Sequence, residues 1–283
     1  MIPVEFDYAR ATSLDDAIAR LAASNGEGKL LAGGHSLIPL MKLRLSEPSL
    51  LIDIARIPGL GGIRGDAGGI EIGATTTHHE VEASALLKEL CPMVSEAAGE
   101  IGDPQVRHRG TLGGSLAHAD PSADMPAVIV ALDAEIEMRG AGGARSVRAA
   151  EFFQDLFTVD MGREEIITGV RFRPVRTAAY AKLHQRASHY AIVGVAAVLE
   201  IEGGVIRSAR VAVTGASTHA QRLAGVEELL VGRPATAESF AAAAAVAADG
   251  LEDLNADLHA SAEYRRAMVK VFTRRALERA AAR

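Results

Sequence analysis

Gln105-Val106-Arg107-His108-Arg109-Gly110-Thr111-Leu112-Gly113-Gly114-Ser115-Leu116-Ala117-His118-Ala119-Asp120-Pro121 decides the fold, together with the earlier Leu31-Ala32-Gly33-Gly34-His35-Ser36-Leu37-Ile38-Pro39 and Lys42. Each stretch holds a glycine pair followed by Ser or His-Ser and an apolar run. Paired glycines bring backbone close to a ligand with no side chain in the way, and the amides of an extended segment converge there on an anion such as a dinucleotide pyrophosphate. The hydroxyls of Ser36, Thr111 and Ser115 add donors at the same place. Neither loop carries the Rossmann G-x-G-x-x-G or the P-loop pattern, so a different dinucleotide geometry is expected, with each loop leaving an extended segment. The other pairs, Gly61-Gly62, Gly68-Gly69, Gly142-Gly143 and Gly203-Gly204, read as turns.

Working outward, Ser13 and Asp16 resemble a capping box, and Leu14, Ala17, Ile18, Leu21 and Ala22 share one helical face. A strand over Lys29 to Ala32 enters the first loop, and a short helix over Pro39 to Leu45 and a strand over Leu50 to Ile54 follow. Gly69 to Gly73 reads as a strand, and His78 to Leu90 and Met93 to Glu100 as helices broken at Pro92. Beyond the second loop, Ala127 to Leu132 is a buried apolar run, and Ala134 to Met138 and Ile166 to Phe172 alternate as strands. A domain boundary is expected near residue 176. Ala178 to Leu183, Val195 to Ile201 and Val205 to Val213 then read as strands, the last two joined by a hairpin at Gly203-Gly204. From Gly225 onward the pattern is helical, with an alanine-rich stretch at Ala241 to Ala248 and a last helix from about Ser261 turning Met268, Val269, Phe272 and Ala276 inward.

Composition narrows the function. A net charge of -6 offers no footprint for nucleic acid, and no apolar run approaches the ~20 residues of a membrane span. The start at Met1 lacks a basic region followed by an apolar stretch, so the expectation is a cytoplasmic protein, not transmembrane. Cys91 is the only cysteine, which rules out an internal disulfide and leaves too few thiolates for an iron-sulfur cluster held by this chain alone.

The two quoted stretches resemble those of the FAD-binding medium subunits of the molybdenum hydroxylases, the xanthine dehydrogenase family, with the aerobic carbon monoxide dehydrogenase group nearest. The likeness extends to Ala181-Lys182-Leu183 through Tyr190-Ala191 and to Ala260-Ser261-Ala262-Glu263-Tyr264-Arg265-Arg266, and so spans nearly the whole chain. It implies an α+β fold. A two-subdomain FAD-binding domain of the p-cresol methylhydroxylase/vanillyl-alcohol oxidase type over residues 1–176 precedes a C-terminal flavoprotein domain, an antiparallel sheet plus a helical bundle, over 177–283. It also implies a subunit of an oxidoreductase. A large partner holds a molybdenum-pterin centre, a small partner holds 2Fe-2S clusters, and non-covalent FAD here passes their electrons to a quinone or other external acceptor. The implied assembly is a doubled heterotrimer, which reaches the inner membrane face only peripherally, through its acceptor.

By the same resemblance, Ala32, Gly33, Gly34, His35, Ser36 and Leu37 form the first pyrophosphate loop, and Thr111, Gly114 and Ser115 the second. Asp124 matches a carboxylate that binds the flavin's polyhydroxy chain, Lys182 a basic position near the ring, and Tyr190 a tyrosine against the ring face. Plainer readings stand beside these: Asp124 as a helix N-cap, Tyr190 as a strand residue, and Lys182 as a solvated strand lysine. His35 raises a covalent flavin link, and His78-His79 with Glu80 a metal cluster. The resemblance argues against the first, and the divergence of neighbouring helical side chains against the second. Arg107 and Arg109 read as loop stiffeners or subunit contacts. No residue is singled out as catalytic. A free-standing FAD oxidoreductase and an interaction protein without cofactor are the competing readings.

Overall fold

The computed structural model describes residues 1–283. Along the chain come β1 (Asp7–Arg10), α1 (Leu14–Ala23), β2 (Gly28–Leu31), α2 (Leu37–Lys42) and β3 (Leu50–Asp53), and the strands pair in parallel in the order β1-β3-β2. The Ser13 side chain accepts from the Asp16 amide and starts α1, which buries Ala17, Ile18 and Leu21. The capping box is only half formed, because the Asp16 carboxylate accepts from the Thr12 amide (2.9 Å) and Arg20 Nε (2.6 Å) instead of the Ser13 amide. α2 begins two residues before the expected Pro39. Proline is tolerated there, since the first-turn amides of a helix have no intrahelical acceptor.

The second body contains β4 (Ile63–Asp66), β5 (Gly69–Gly73), α3 (His78–Ala83), α4 (Ala85–Leu90), α5 (Pro92–Gly99), α6 (Pro104–Arg107), α7 (Leu112–His118) and α8 (Asp124–Ala131). There follow β6 (Glu135–Gly140), β7 (Gly143–Arg148), α9 (Ala149–Phe152), β8 (Phe153–Asp155), β9 (Thr158–Val159) and β10 (Ile166–Phe172). Its antiparallel sheet runs β4-β5-β10-β6-β7, while β8 and β9 form a separate hairpin. The helix expected over His78 to Leu90 is two helices. Ser84 is extended between them (φ -61°, ψ 116°), and its side chain accepts from the Leu87 amide to cap the second. The apolar run at Ala127 is the interior of α8, every residue of which is buried.

The remainder comprises β11 (Ala178–His184), β12 (Ala191–Glu202), β13 (Val205–Thr214), β14 (Gln221–Arg222), α10 (Ala224–Leu230), α11 (Ala237–Ala245) and α12 (Ala262–Ala281). The four strands form one antiparallel sheet in chain order. Alternation splits its side chains between two cores. Ala178, Tyr180, Ala196, Val198 and Ala212 join the core of the N-terminal part, where α5 and α8 pack on them. Ala179, Ala181, Val195, Ala197, Val211 and Val213 face the other way, into a core closed by α10, α11 and α12. The α+β architecture, with its antiparallel sheet and helices at the C-terminal end, is the one expected.

Candidate cofactor-binding site

A cavity of about 910 Å³ opens along β2 and is walled by both glycine loops. That volume lies at the upper end of the ~300–1,000 Å³ range of small-molecule sites. All of the first-loop residues Ala32 to Leu37 line it, as do Thr111, Gly114, Ser115, Asp124 and Tyr190. Sequence positions some eighty residues apart therefore share one wall, as a two-loop dinucleotide site requires.

The first loop leaves β2 and reaches α2 without forming a ladder. None of the backbone N–H groups from Ala32 through Leu37 donates a hydrogen bond within the chain. A run of unpaired amides on a cavity wall is a cradle available to an anionic acceptor. Gly34 supplies a turn at φ +75°, which favours glycine. Gly33 serves a different need: a Cβ there would lie 2.1 Å from the Arg109 carbonyl oxygen, so this glycine lets the two loops touch backbone to backbone.

The second loop departs from the expectation of an extended segment. Thr111 is the N-cap of α7 and Gly113-Gly114 are already helical. All of its amides but that of Thr111 are occupied by the protein, Leu112 donating to the Thr76 carbonyl (2.9 Å), Gly113 to Ala74 (2.8 Å), Gly114 to Thr111 Oγ1 (3.2 Å) and Ser115 to the Thr111 carbonyl (3.0 Å). Gly113 is needed because a Cβ would sit 2.6 Å from the Ala74 Cβ. What this loop presents to the cavity is therefore its hydroxyls, Thr111 and Ser115, not an amide nest.

Asp124 is buried, and its carboxylate accepts from the Tyr180 hydroxyl (2.5 Å) and from Lys182 Nζ (2.8 Å). Burial pushes its pKa up, and the Lys182 ammonium pulls the other way. The N-cap of α8 is Ala123, without a side-chain bond, so Asp124 does not cap the helix. Lys182 is neither a solvated strand lysine nor part of the cavity wall. Its side chain is 1% exposed, and Nζ spans Asp124 and the Glu100 carbonyl (2.9 Å). Tyr190 lies just before β12 rather than in it, in a loop closed by the Gln185 amide donating to the Tyr190 carbonyl (2.8 Å). The residue is 45% exposed and lines the cavity. His35 is exposed, with Nδ1 3.4 Å from the Gly33 carbonyl oxygen.

The adjacent histidines diverge. His78 is buried on the cavity wall, while His79 stacks outside on His108 with ring centroids 3.8 Å apart. Arg107 binds Glu82 (2.8 Å) and the Ile101 carbonyl (3.1 Å), which stiffens the approach to the second loop. Sequence reasoning missed His78 and Gly110 as wall residues, and also Lys29 and Arg163, which bring positive charge to the same cavity. The pair His78-His79 drew notice only as metal ligands, since nothing in the string tells which histidine is buried.

Free amides, three hydroxyls and a loop contact that only glycine permits fit a dinucleotide, and the comparisons with known proteins agree. Residues 4–174 match the family described as FAD binding domain in molybdopterin dehydrogenase, and residues 178–280 match the CO dehydrogenase flavoprotein C-terminal domain. The chain belongs to this family: it is an FAD-binding medium subunit of the molybdenum hydroxylases, and thus part of an oxidoreductase. It is 38% identical to the carbon monoxide dehydrogenase medium chain of Hydrogenophaga pseudoflava, over 100% of this chain and 99% of that one. It is 37% identical to the 6-hydroxypseudooxynicotine dehydrogenase complex subunit alpha of Paenarthrobacter nicotinovorans, over 99% and 96%. Among solved structures, a carbon monoxide dehydrogenase from Hydrogenophaga pseudoflava superposes with TM-score 0.96 at 38% identity, covering 100% of this chain and 99% of that chain. The quinoline 2-oxidoreductase of Pseudomonas putida 86 superposes with TM-score 0.94 at 32% identity, again covering 100% and 99%.

Proposed function

We propose that this chain is the FAD-carrying electron-transfer subunit of an aerobic carbon monoxide dehydrogenase, in which CO and water become CO2 on a partner. The observation that carries this reading is full-length likeness: the Hydrogenophaga medium chain, and at 38% identity that of Afipia carboxidovorans as well. Cys91 is buried and its thiol is pushed up to about 12, so the chain offers no thiolate to a cluster. In this reading the 2Fe-2S clusters sit on a small subunit and the molybdenum-pterin centre on a large one, in a doubled heterotrimer. The FAD-binding domain spans residues 1–176 and the C-terminal domain 177–283. No helix is long and apolar enough to cross a membrane. In this reading the assembly works in the cytoplasm and meets the membrane only through its acceptor.

FAD, when bound, supplies a ring that takes up and gives up electrons, received here from the clusters and passed to a quinone or other external acceptor. The chain's own residues hold it. The free amides of Ala32, Gly33, Gly34, His35, Ser36 and Leu37, with the hydroxyls of Ser36, Thr111 and Ser115, bind the pyrophosphate without a covalent link, and Gly114 leaves room beside them. Asp124 keeps lone pairs after its bonds to Tyr180 and Lys182, and accepts from cofactor hydroxyls. Lys182 acts through Asp124 by holding its carboxyl group in place, and Tyr190 covers the open side. No side chain of this chain makes or breaks substrate bonds.

The test is anaerobic addition of CO to the native complex, with the visible flavin absorbance expected to fall. A second reading has its own support in the 37% identity to the 6-hydroxypseudooxynicotine enzyme's subunit. Bleaching by an N-heterocycle or an aldehyde, with CO inert, selects that class. A chain isolated from cells without molybdenum and iron would sink both.

A further inference from the structure

His78 belongs to no role assigned so far. It is the first residue of α3, and its amide donates to the Gly110 carbonyl (2.9 Å), which ties it to the strand-like contact between Thr77 and Thr111 beside the second glycine loop. The residue is 4% exposed, and it lines the cavity together with Gly110. Nδ1 is enclosed and has no hydrogen-bond partner. Burial, with the Arg107 charge nearby, holds its pKa down at about 4, so the ring is neutral near pH 7 and carries one donor nitrogen and one acceptor.

The placement of the proton follows from the surroundings. A buried N–H without an acceptor is rarer in folded proteins than a lone pair without a donor, which assigns the lone pair to enclosed Nδ1 and the proton to Nε2. Nε2 lies on the ring edge next to Gly110. A Cβ on residue 110 would stand 2.9 Å from His78 Cδ2 and 3.4 Å from Nε2. Glycine at 110 therefore makes room for the ring and leaves this edge uncovered, and no turn requires it, because Gly110 does not have positive φ.

We infer that His78 is a further cofactor-contacting residue, whose Nε2–H, uncovered by the absence of a side chain at Gly110, donates a hydrogen bond to an oxygen of FAD beside Thr111 and Ser115. The donor complements the two hydroxyls, since the amides of Leu112, Gly113, Gly114 and Ser115 are already used by the protein. The inference rests on FAD binding and is independent of the substrate of the complex.

The test titrates the FAD-stripped full-length chain with FAD by flavin fluorescence, for wild type, His78→Phe and His78→Gln. Phe fills the same space without a donor, and Gln keeps one. The expected result is a loss of roughly tenfold in affinity for Phe with most of it recovered for Gln, together with a histidine ring-nitrogen NMR signal that shifts when FAD is added. Circular dichroism of the Phe variant is expected to match wild type. Equal affinity of wild type and the Phe variant, or a ring signal that ignores FAD, overturns the role of His78 while FAD binding stands. If the Phe variant does not fold, the ring signal of the wild type decides alone. A wild-type chain that fails to bind FAD overturns both readings.

Discussion

A methyl group on Gly33 would lie 2.1 Å from the Arg109 carbonyl oxygen and 2.9 Å from the Gly110 Cα. Both are backbone atoms that yield only if the loops part, so Gly33→Ala is expected to cost about 1–3 kcal/mol of stability and at least tenfold in FAD affinity. Flavin retention on gel filtration checks it, and a variant that keeps its flavin would show that the loop contact is not needed. This role was hidden in the sequence. The glycine pair announced close approach, but not that the approach is to the other loop. His78 carries a pH signature as well. Its pKa is about 4 in the folded chain against an ordinary 6.5, so between those values the unfolded chain binds a proton that the folded chain refuses. Stability therefore falls as pH drops from about 6.5 and levels off below about 4. Between pH 7 and pH 5 this group alone removes about 2 kcal/mol. Urea unfolding of the FAD-free chain at both pH values is expected to show a smaller loss for His78→Phe than for wild type, and parallel losses would refute the assignment.

Elements whose signal is local were legible. Ser261 starts α12 by accepting from the Tyr264 amide, and Val269, Phe272 and Ala276 are buried as their spacing implied. The Gly203-Gly204 hairpin joins β12 to β13 with φ of +58° and +78°, the double positive φ of a turn matched to strand twist. Asn tolerates that region and Val does not. Gly203→Asn is thus expected to leave the melting temperature within a degree or two, and Gly203→Val to lower it by several degrees. Scanning calorimetry distinguishes them, and a Val variant as stable as wild type would mean that the turn has rearranged. Elements defined by long-range partners were not legible. The second loop looks like the first on paper, yet its amides are claimed by Ala74 and Thr76 across the chain, which winds it into α7. Ser84 divides α3 from α4 because its side chain caps the second helix, an effect that periodicity does not register. The short β8–β9 hairpin has too few residues to show any period.

For the whole molecule, the sheet of β11 to β14 decides how the chain behaves as a unit. Fold class and the order of the two loops could be read from motifs. The sharing of this sheet between two cores could not, because alternation in β11 to β13 is between apolar and apolar: Ala178 and Tyr180 face one core, and Ala179 and Ala181 the other. A strand buried on both faces has no polar side to reveal its orientation. The site depends on this arrangement. Tyr180 and Lys182 reach from β11 to Asp124 at the start of α8, so the carboxylate on the cavity wall is held by the C-terminal sheet, through the sheet face that joins the N-terminal core. Neither part keeps its apolar surface covered without the other, since separation would uncover the sheet face on which α5 and α8 pack and break the Asp124 bonds to Tyr180 and Lys182. Thermal unfolding of the FAD-free chain is therefore expected to be one cooperative transition, with calorimetric and van't Hoff enthalpies in agreement. FAD should move that whole transition upward with its concentration, because a ligand that binds only the folded state stabilises all that unfolds with it. Two resolved transitions, only one of them shifting with FAD, would show instead that the C-terminal sheet and helices fold apart from the site, and that the Asp124 bonds to Tyr180 and Lys182 do not couple them.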